Sequence, residues 1–145
     1  MIKIGKRNIH EIFNQLISLN IFNIIKKFFL VHQNPIRAMV NEFFSIGSYP
    51  KTITLMNKYK IKVYNIDDFS TLNLVFCRED YFKPKKIKVV IDIGSNIGIS
   101  SLYWFIGNPT CKIYSFEPSE KNFKKQKINT KIFKKNIILK KIGVS

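Results

Sequence analysis

The sequence predicts an α/β fold built on a parallel sheet, and three observations predict it. Residues 87–93 form an almost unbroken apolar run that enters a glycine turn, Asp92-Ile93-Gly94-Ser95-Asn96-Ile97-Gly98. A second β-prone run, 112–116, ends in Glu117, 25 residues after Asp92. Helical stretches follow each run, and a third strand follows the second helix. The order β-α-β-α-β requires parallel strands joined by right-handed crossovers.

Each element has its own signal. Residues 9–31 carry apolar side chains at 9, 12, 13, 16, 17, 21, 24, 25 and 28, the three-four spacing of one helical face. Pro35 stops that helix, and a second short helix is expected from Pro35 to Phe44 before Gly47-Ser48-Tyr49-Pro50 breaks the pattern. Residues 52–55 and 61–65 read as a hairpin around 57–60. Asp67 reads as the N-cap of a helix through Phe76. The continuous apolar character of 87–93 predicts a strand covered on both faces. A helix over about 96–106 is closed by Gly107-Asn108-Pro109, and Tyr103-Trp104-Phe105 on it read as core. Pro118-Ser119 opens a helix to about Phe133, with Phe123, Ile128 and Ile132 expected inward and its lysines outward. The third strand is expected over 137–142. The implied organisation is an N-terminal helical extension at 1–47, a lead-in hairpin and helix at 48–86, and a sheet domain at 87–145.

Composition narrows the function classes. The net charge is +16, carried by 22 Lys and 3 Arg. Specific phosphate and base recognition leans on the planar fork of Arg, so a Lys excess spread along the chain reads as a solvated basic surface and not as a nucleic-acid site. With 25 Ile, 14 Asn and one Ala, the bias matches A/T-rich codons. Cys77 and Cys111 lack metal-ligand spacing and read as buried fillers, and no metal site is expected. His10 and His32 read as surface or interface residues. Polar residues interrupt 9–31, so no membrane span is expected, and the start lacks a secretory signal pattern. These readings predict a cytoplasmic protein. The 9–29 helix is expected to pack on the sheet or on a partner in preference to a membrane surface.

The turn and Glu117 carry the chemistry. Gly94 lacks a Cβ, so it accepts a positive φ and lets a ligand approach the backbone. Gly98 lets the helix start pack closely on the strand. Asn96 tolerates left-handed geometry and offers an amide. Asp92 at the strand end accepts from a ligand ammonium or from loop amides, and Glu117 at the next strand end accepts from both hydroxyls of a ribose. The spacing is not the G-x-G-x-x-G of a dinucleotide site, and a carboxylate before the first glycine repels phosphate. An acidic turn instead suits a cofactor with an ammonium and a sulfonium, S-adenosylmethionine.

On these residues the segment from Val89 to Ser145 resembles the cofactor-binding part of the FkbM-type S-adenosylmethionine-dependent methyltransferases. The Asp92-to-Gly98 turn with Asn96 between the glycines, Phe116-Glu117-Pro118, and Asn129 carry the resemblance. Upstream, Tyr49-Pro50, Asp67-Asp68 and Glu79-Asp80-Tyr81 resemble the family's lead-in region. The resemblance implies a Rossmann-like class I methyltransferase fold and methylation of hydroxyls on sugars, glycolipids or small metabolites. It implies that Asp92, Gly94, Ser95, Asn96, Gly98 and Glu117 contact the cofactor and that Glu79 and Tyr81 border the site. No catalytic base is identifiable.

The class I sheet has seven strands in the order 3-2-1-4-5-7-6, and this chain offers the first three. The expectation is therefore a fold truncated after the third core strand, poorly active alone, with its first strand left as an exposed apolar edge prone to self- or partner association. Two alternatives stand beside the methyltransferase reading. One is a non-catalytic cofactor-binding or interaction module completed by a partner chain. The other is a nucleic-acid methyltransferase.

Overall fold

A computed structural model describes residues 3–4, 7–8, 21–78, 81 and 86–143. The chain divides into two compact units, Met1–Asp80 and Tyr81–Ser145.

The first unit begins with a small antiparallel ribbon of β1 (Lys3–Ile4) and β2 (Arg7–Asn8). Helix α1 (Ile21–Val31) is the described part of the long amphipathic stretch, and the remainder of that expected helix lies outside the described residues. Helix α2 (Pro35–Phe44) starts on Pro35, whose missing N–H is no loss in a first turn. Strands β3 (Lys51–Thr54) and β4 (Lys60–Val63) form the expected antiparallel hairpin, with Lys51 opposite Val63 and Thr54 opposite Lys60.

Helix α3 (Ile66–Phe76) is capped by Asn65 and not by Asp67. The Asn65 side chain accepts the Asp68 N–H at 2.7 Å, and Asp68 Oδ2 in return accepts the Tyr64 N–H at 2.8 Å. This reciprocal arrangement satisfies two amides at once, so the cap falls two residues before the position that the sequence suggests. Asp67 lies in the first turn, where its charge suits the helix dipole. Phe28, Leu55, Ile61, Val63, Phe69, Leu72 and Val75 make the core of this unit.

His32 belongs to that core. It is 2 % exposed, stacks on Phe28 and shares a 2.8 Å hydrogen bond with Asn73 Oδ1. The surface reading of His32 is thereby corrected: the side-chain amide of Asn73 supplies the polar partner that burial demands. His10 lies outside the described residues.

The second unit is β5 (Val89–Ile93), α4 (Ile99–Gly107), β6 (Lys112–Phe116), α5 (Glu120–Thr130), a 3-10 turn (Lys131–Phe133) and β7 (Ile137–Lys140). The three strands are parallel in the order β5-β6-β7. Asp92 pairs with Ser115 and Ile93 with Phe116, so Gly94 and Glu117 leave the sheet side by side at its carboxyl end. Both helices lie on one face of the sheet, because Ser101 of α4 and Gln126 of α5 each reach Ser115 of β6.

The opposite face corrects the expectation of a strand covered on both sides. Val89, Ile91 and Ile93 are 56, 66 and 60 % exposed, and Tyr114 beside them is 38 % exposed. Consecutive crossovers in one direction put both helices on the same side, so the alternate residues of β5 face out. Helix α5 also departs from its expected face. Phe123, Gln126, Asn129 and Thr130 are buried, while Ile128 and Ile132 are 50 and 70 % exposed. Polar side chains with specific partners occupy the inner face there, so apolar periodicity alone misassigned it. Cys77 and Cys111 are buried thiols, as expected. No described helix is long and apolar enough to cross a membrane, and no described group of His, Cys, Asp and Glu could hold a metal ion.

Candidate functional site

The loop between β5 and α4 is built by three positive-φ residues in five: Gly94 at 75°, Asn96 at 49° and Gly98 at 89°. This left-handed geometry is cheap for glycine and tolerable for Asn, whose short amide side chain accepts it better than other residues. The loop folds over the end of β6. The N–H groups of Gly94 and Ser95 both donate to the Phe116 carbonyl, at 2.9 and 3.0 Å, and Gly98 N–H closes a turn on Ser95 O at 2.8 Å.

Glu117 anchors the loop from the neighbouring strand. It is 5 % exposed. Its Oε2 accepts the Asn96 N–H at 2.8 Å, and its Oε1 accepts the Ser119 N–H at 2.9 Å. Each oxygen keeps a second lone pair. The two glycines differ in what surrounds them. A Cβ on Gly94 would meet nothing within 4 Å, so that side of the loop is open. A Cβ on Gly98 would lie 3.0 Å from Gln126 Cγ and 3.2 Å from Thr130 Cγ2, so Gly98 is what lets α5 close on the loop.

Beneath the loop runs a directed chain of side-chain hydrogen bonds. Gln126 Nε2 donates to Ser95 Oγ at 2.7 Å and to Ser115 Oγ at 2.5 Å. Ser95 Oγ passes on to the Phe116 carbonyl at 3.2 Å. Ser115 and Ser101 share a hydrogen bond at 2.7 Å, and Ser101 Oγ donates to Asp92 Oδ2 at 2.5 Å. Ser100 Oγ donates to the same oxygen at 2.8 Å. Because the Ser101 proton goes to Asp92, Ser115 must donate to Ser101. Both protons of the Gln126 amide are used, while its buried Oε1 has no partner. Asn129 Nδ2 adds a bond to the Ile97 carbonyl at 2.9 Å.

Asp92, Gly94, Ser95, Asn96, Gly98 and Glu117 are thus brought together at the carboxyl ends of two adjacent parallel strands. Tyr81 is 43 % exposed and packs against α4, with its ring centroid 6.4 Å from Tyr103 and 5.9 Å from Trp104. Glu79 lies outside the described residues. The supporting polar set of Ser100, Ser101, Ser115 and Gln126 escaped the sequence reading. A detectable signal existed in Ser115, a small hydroxyl side chain inside a strand, and in Gln126, three residues after the inward Phe123. Among the described residues β5 is an edge strand, so the sheet there has no reversal of strand order beside the loop.

No family model matches the chain, and no curated protein matches it. One solved structure with a likeness is the crystal structure of coclaurine N-methyltransferase bound to N-methylheliamine and SAH. The two chains are 14 % identical with a TM-score of 0.36, and the likeness covers 90 % of this chain and 41 % of that one. The chain therefore spans about two fifths of the length of that enzyme.

Proposed function

We propose that the β5–α4 loop and Glu117 bind S-adenosylmethionine, as part of a Rossmann-like methyltransferase of the FkbM type acting on a hydroxyl of a sugar, glycolipid or small metabolite. The observation that carries this reading is the bond from Asn96 N–H to Glu117 Oε2, which couples the glycine turn of one strand to the carboxylate of the next. The residues fit such a group. The open side of Gly94 leaves room for a ligand against the backbone. The remaining lone pairs of Glu117 suit a pair of ribose hydroxyls. Asp92 holds Ser100 and Ser101 through Oδ2, and its other oxygen, without a partner among the described residues, suits an ammonium.

When bound, the cofactor supplies an electrophilic methyl group on a sulfonium. The chain's own contribution is positioning: the loop amides are fixed by Phe116 and Glu117, and the polar chain from Gln126 to Asp92 orients the carboxylate. No described side chain is assigned as a base.

Calorimetric titration of the full chain with S-adenosylmethionine tests the reading. Saturable binding is expected, weakened about tenfold or more by Glu117→Gln, the scale of a lost charged hydrogen bond. Asp92→Asn keeps an oxygen for the two serine hydroxyls, so it should preserve the fold and still weaken binding. No saturable binding, or binding unchanged in both variants, would overturn the proposal.

A further inference from the structure

The first unit holds a cavity that the β5–α4 loop does not use. It has a volume of about 200 Å³ and lies between the start of α2 and strand β3. By liquid volume that is room for about six waters, enough for a small polyatomic ion with a few further atoms. Its lining includes the cations Arg37 and Lys51, the neutral donors Asn34, Thr52 and Thr54, and the ring of Phe69, and no acidic residue.

Among the described residues the two cations have no ion-pair partner: neither is paired with an acidic side chain. Glu42, on the same helix as Arg37, is engaged by Ser70 Oγ at 3.1 Å and Asn73 Nδ2 at 3.0 Å. Lys51 is held in place by other means. Its Nζ sits 4.5 Å from the Tyr49 ring centroid and 4.4 Å from that of Phe69. The Asn41 amide satisfies both its neighbours when its oxygen faces Lys51 Nζ at 2.9 Å and its nitrogen donates to Ile46 O at 3.2 Å. Partial burial lowers the Lys51 pKa, and the charge of Arg37 lowers it further. The charge of Arg37 acts on that of Lys51, and a ligand that neutralises both relieves that repulsion.

We propose that this cavity binds a phosphate dianion, free or as the monoester of a small polar molecule. A guanidinium fork matches two oxygens of such a group, and an ammonium serves as a point charge for a third. Two cations match a dianion better than a single carboxylate. Asn34 makes no capping bond to its own helix, so its amide is available to a ligand.

The test is calorimetric titration of the full chain at constant ionic strength with inorganic phosphate and, separately, with glycerol 1-phosphate. Saturable binding at one site per chain is expected, about tenfold weaker in Arg37→Gln. Lys124→Gln, a change on the second unit, should leave it unaltered. Arg37 is exposed, so Arg37→Gln should keep its unfolding midpoint, and a melt confirms that the comparison is between folded proteins. Tighter binding of the ester identifies an organic phosphate as the ligand, and equal binding identifies the free ion. Non-saturating heats, or equal binding by the wild type and Arg37→Gln, would overturn the proposal.

Discussion

Glu117 Oε2 accepts the backbone N–H of Asn96 at 2.8 Å, while its other oxygen accepts the N–H of Ser119 at 2.9 Å. One buried carboxylate therefore fixes both the glycine loop after β5 and the entry to α5. Replacement by Ala leaves two amides without their acceptor. Asn96 and Ser119 are themselves exposed, so water recovers part of the loss. Glu117→Ala should lower stability by about 1–2 kcal/mol in urea unfolding. An unchanged midpoint would show that Glu117 does not hold the loop.

The two loop glycines should respond differently to alanine. At Gly94 the cost is the left-handed backbone alone, about 1–2 kcal/mol, since a Cβ there meets open space. At Gly98 the same backbone cost is joined by crowding against Gln126 and Thr130, for about 2–4 kcal/mol in all. Paired melts of Gly94→Ala and Gly98→Ala measure the difference. Equal losses would mean that α5 yields freely to the added methyl.

His32 should make stability depend on pH. Burial holds its imidazole below the ordinary 6.5, with the Asn73 hydrogen bond opposing and the Lys51 charge reinforcing that shift. The unfolded chain then binds more protons than the folded one just below pH 6.5, so stability rises with pH in that window. The contribution is complete above 6.5 and is lost as pH falls through 6.5 towards the lower folded value. Its slope reaches at most about 1.4 kcal/mol per pH unit. Urea unfolding across this range should show the slope in the wild type and not in His32→Gln. The same slope in both would assign the dependence elsewhere.

The outward face of β5 should promote self-association. Ile91 is 66 % exposed between Val89 and Ile93, on a strand whose other edge is unpaired among the described residues. Ile91→Lys should change stability by about 0.5 kcal/mol or less. It should also reduce light scattering of concentrated protein. Scattering that persists unchanged would locate the contact elsewhere.

Much of the second unit was readable from local signals. The glycine turn, the apolar strand starts and Pro118-Ser119 each act through their own backbone, and the strands and helices fall within a few residues of the expected positions. The α3 cap was misread because Asn65 accepts the Asp68 N–H while Asp68 accepts the Tyr64 N–H, a reciprocity that single-residue preference does not express. His32 was misread because its partner Asn73 is 41 residues away. Ile128 and Ile132 were misread because α5 buries Gln126 and Asn129 instead, each with a partner on another element.

By itself the sequence determined the order of elements, the parallel sheet and the positions of the glycines, because backbone preference and side-chain period act over a few residues. The tertiary structure alone decided which polar groups share a proton and which faces stay open. Those outcomes depend on contacts between elements far apart in the chain. Asp92 is one residue in the sequence, but in the fold it is the end of a hydrogen-bond chain that starts at Gln126. Only closure of both helices on the same side of the sheet brings those groups within reach.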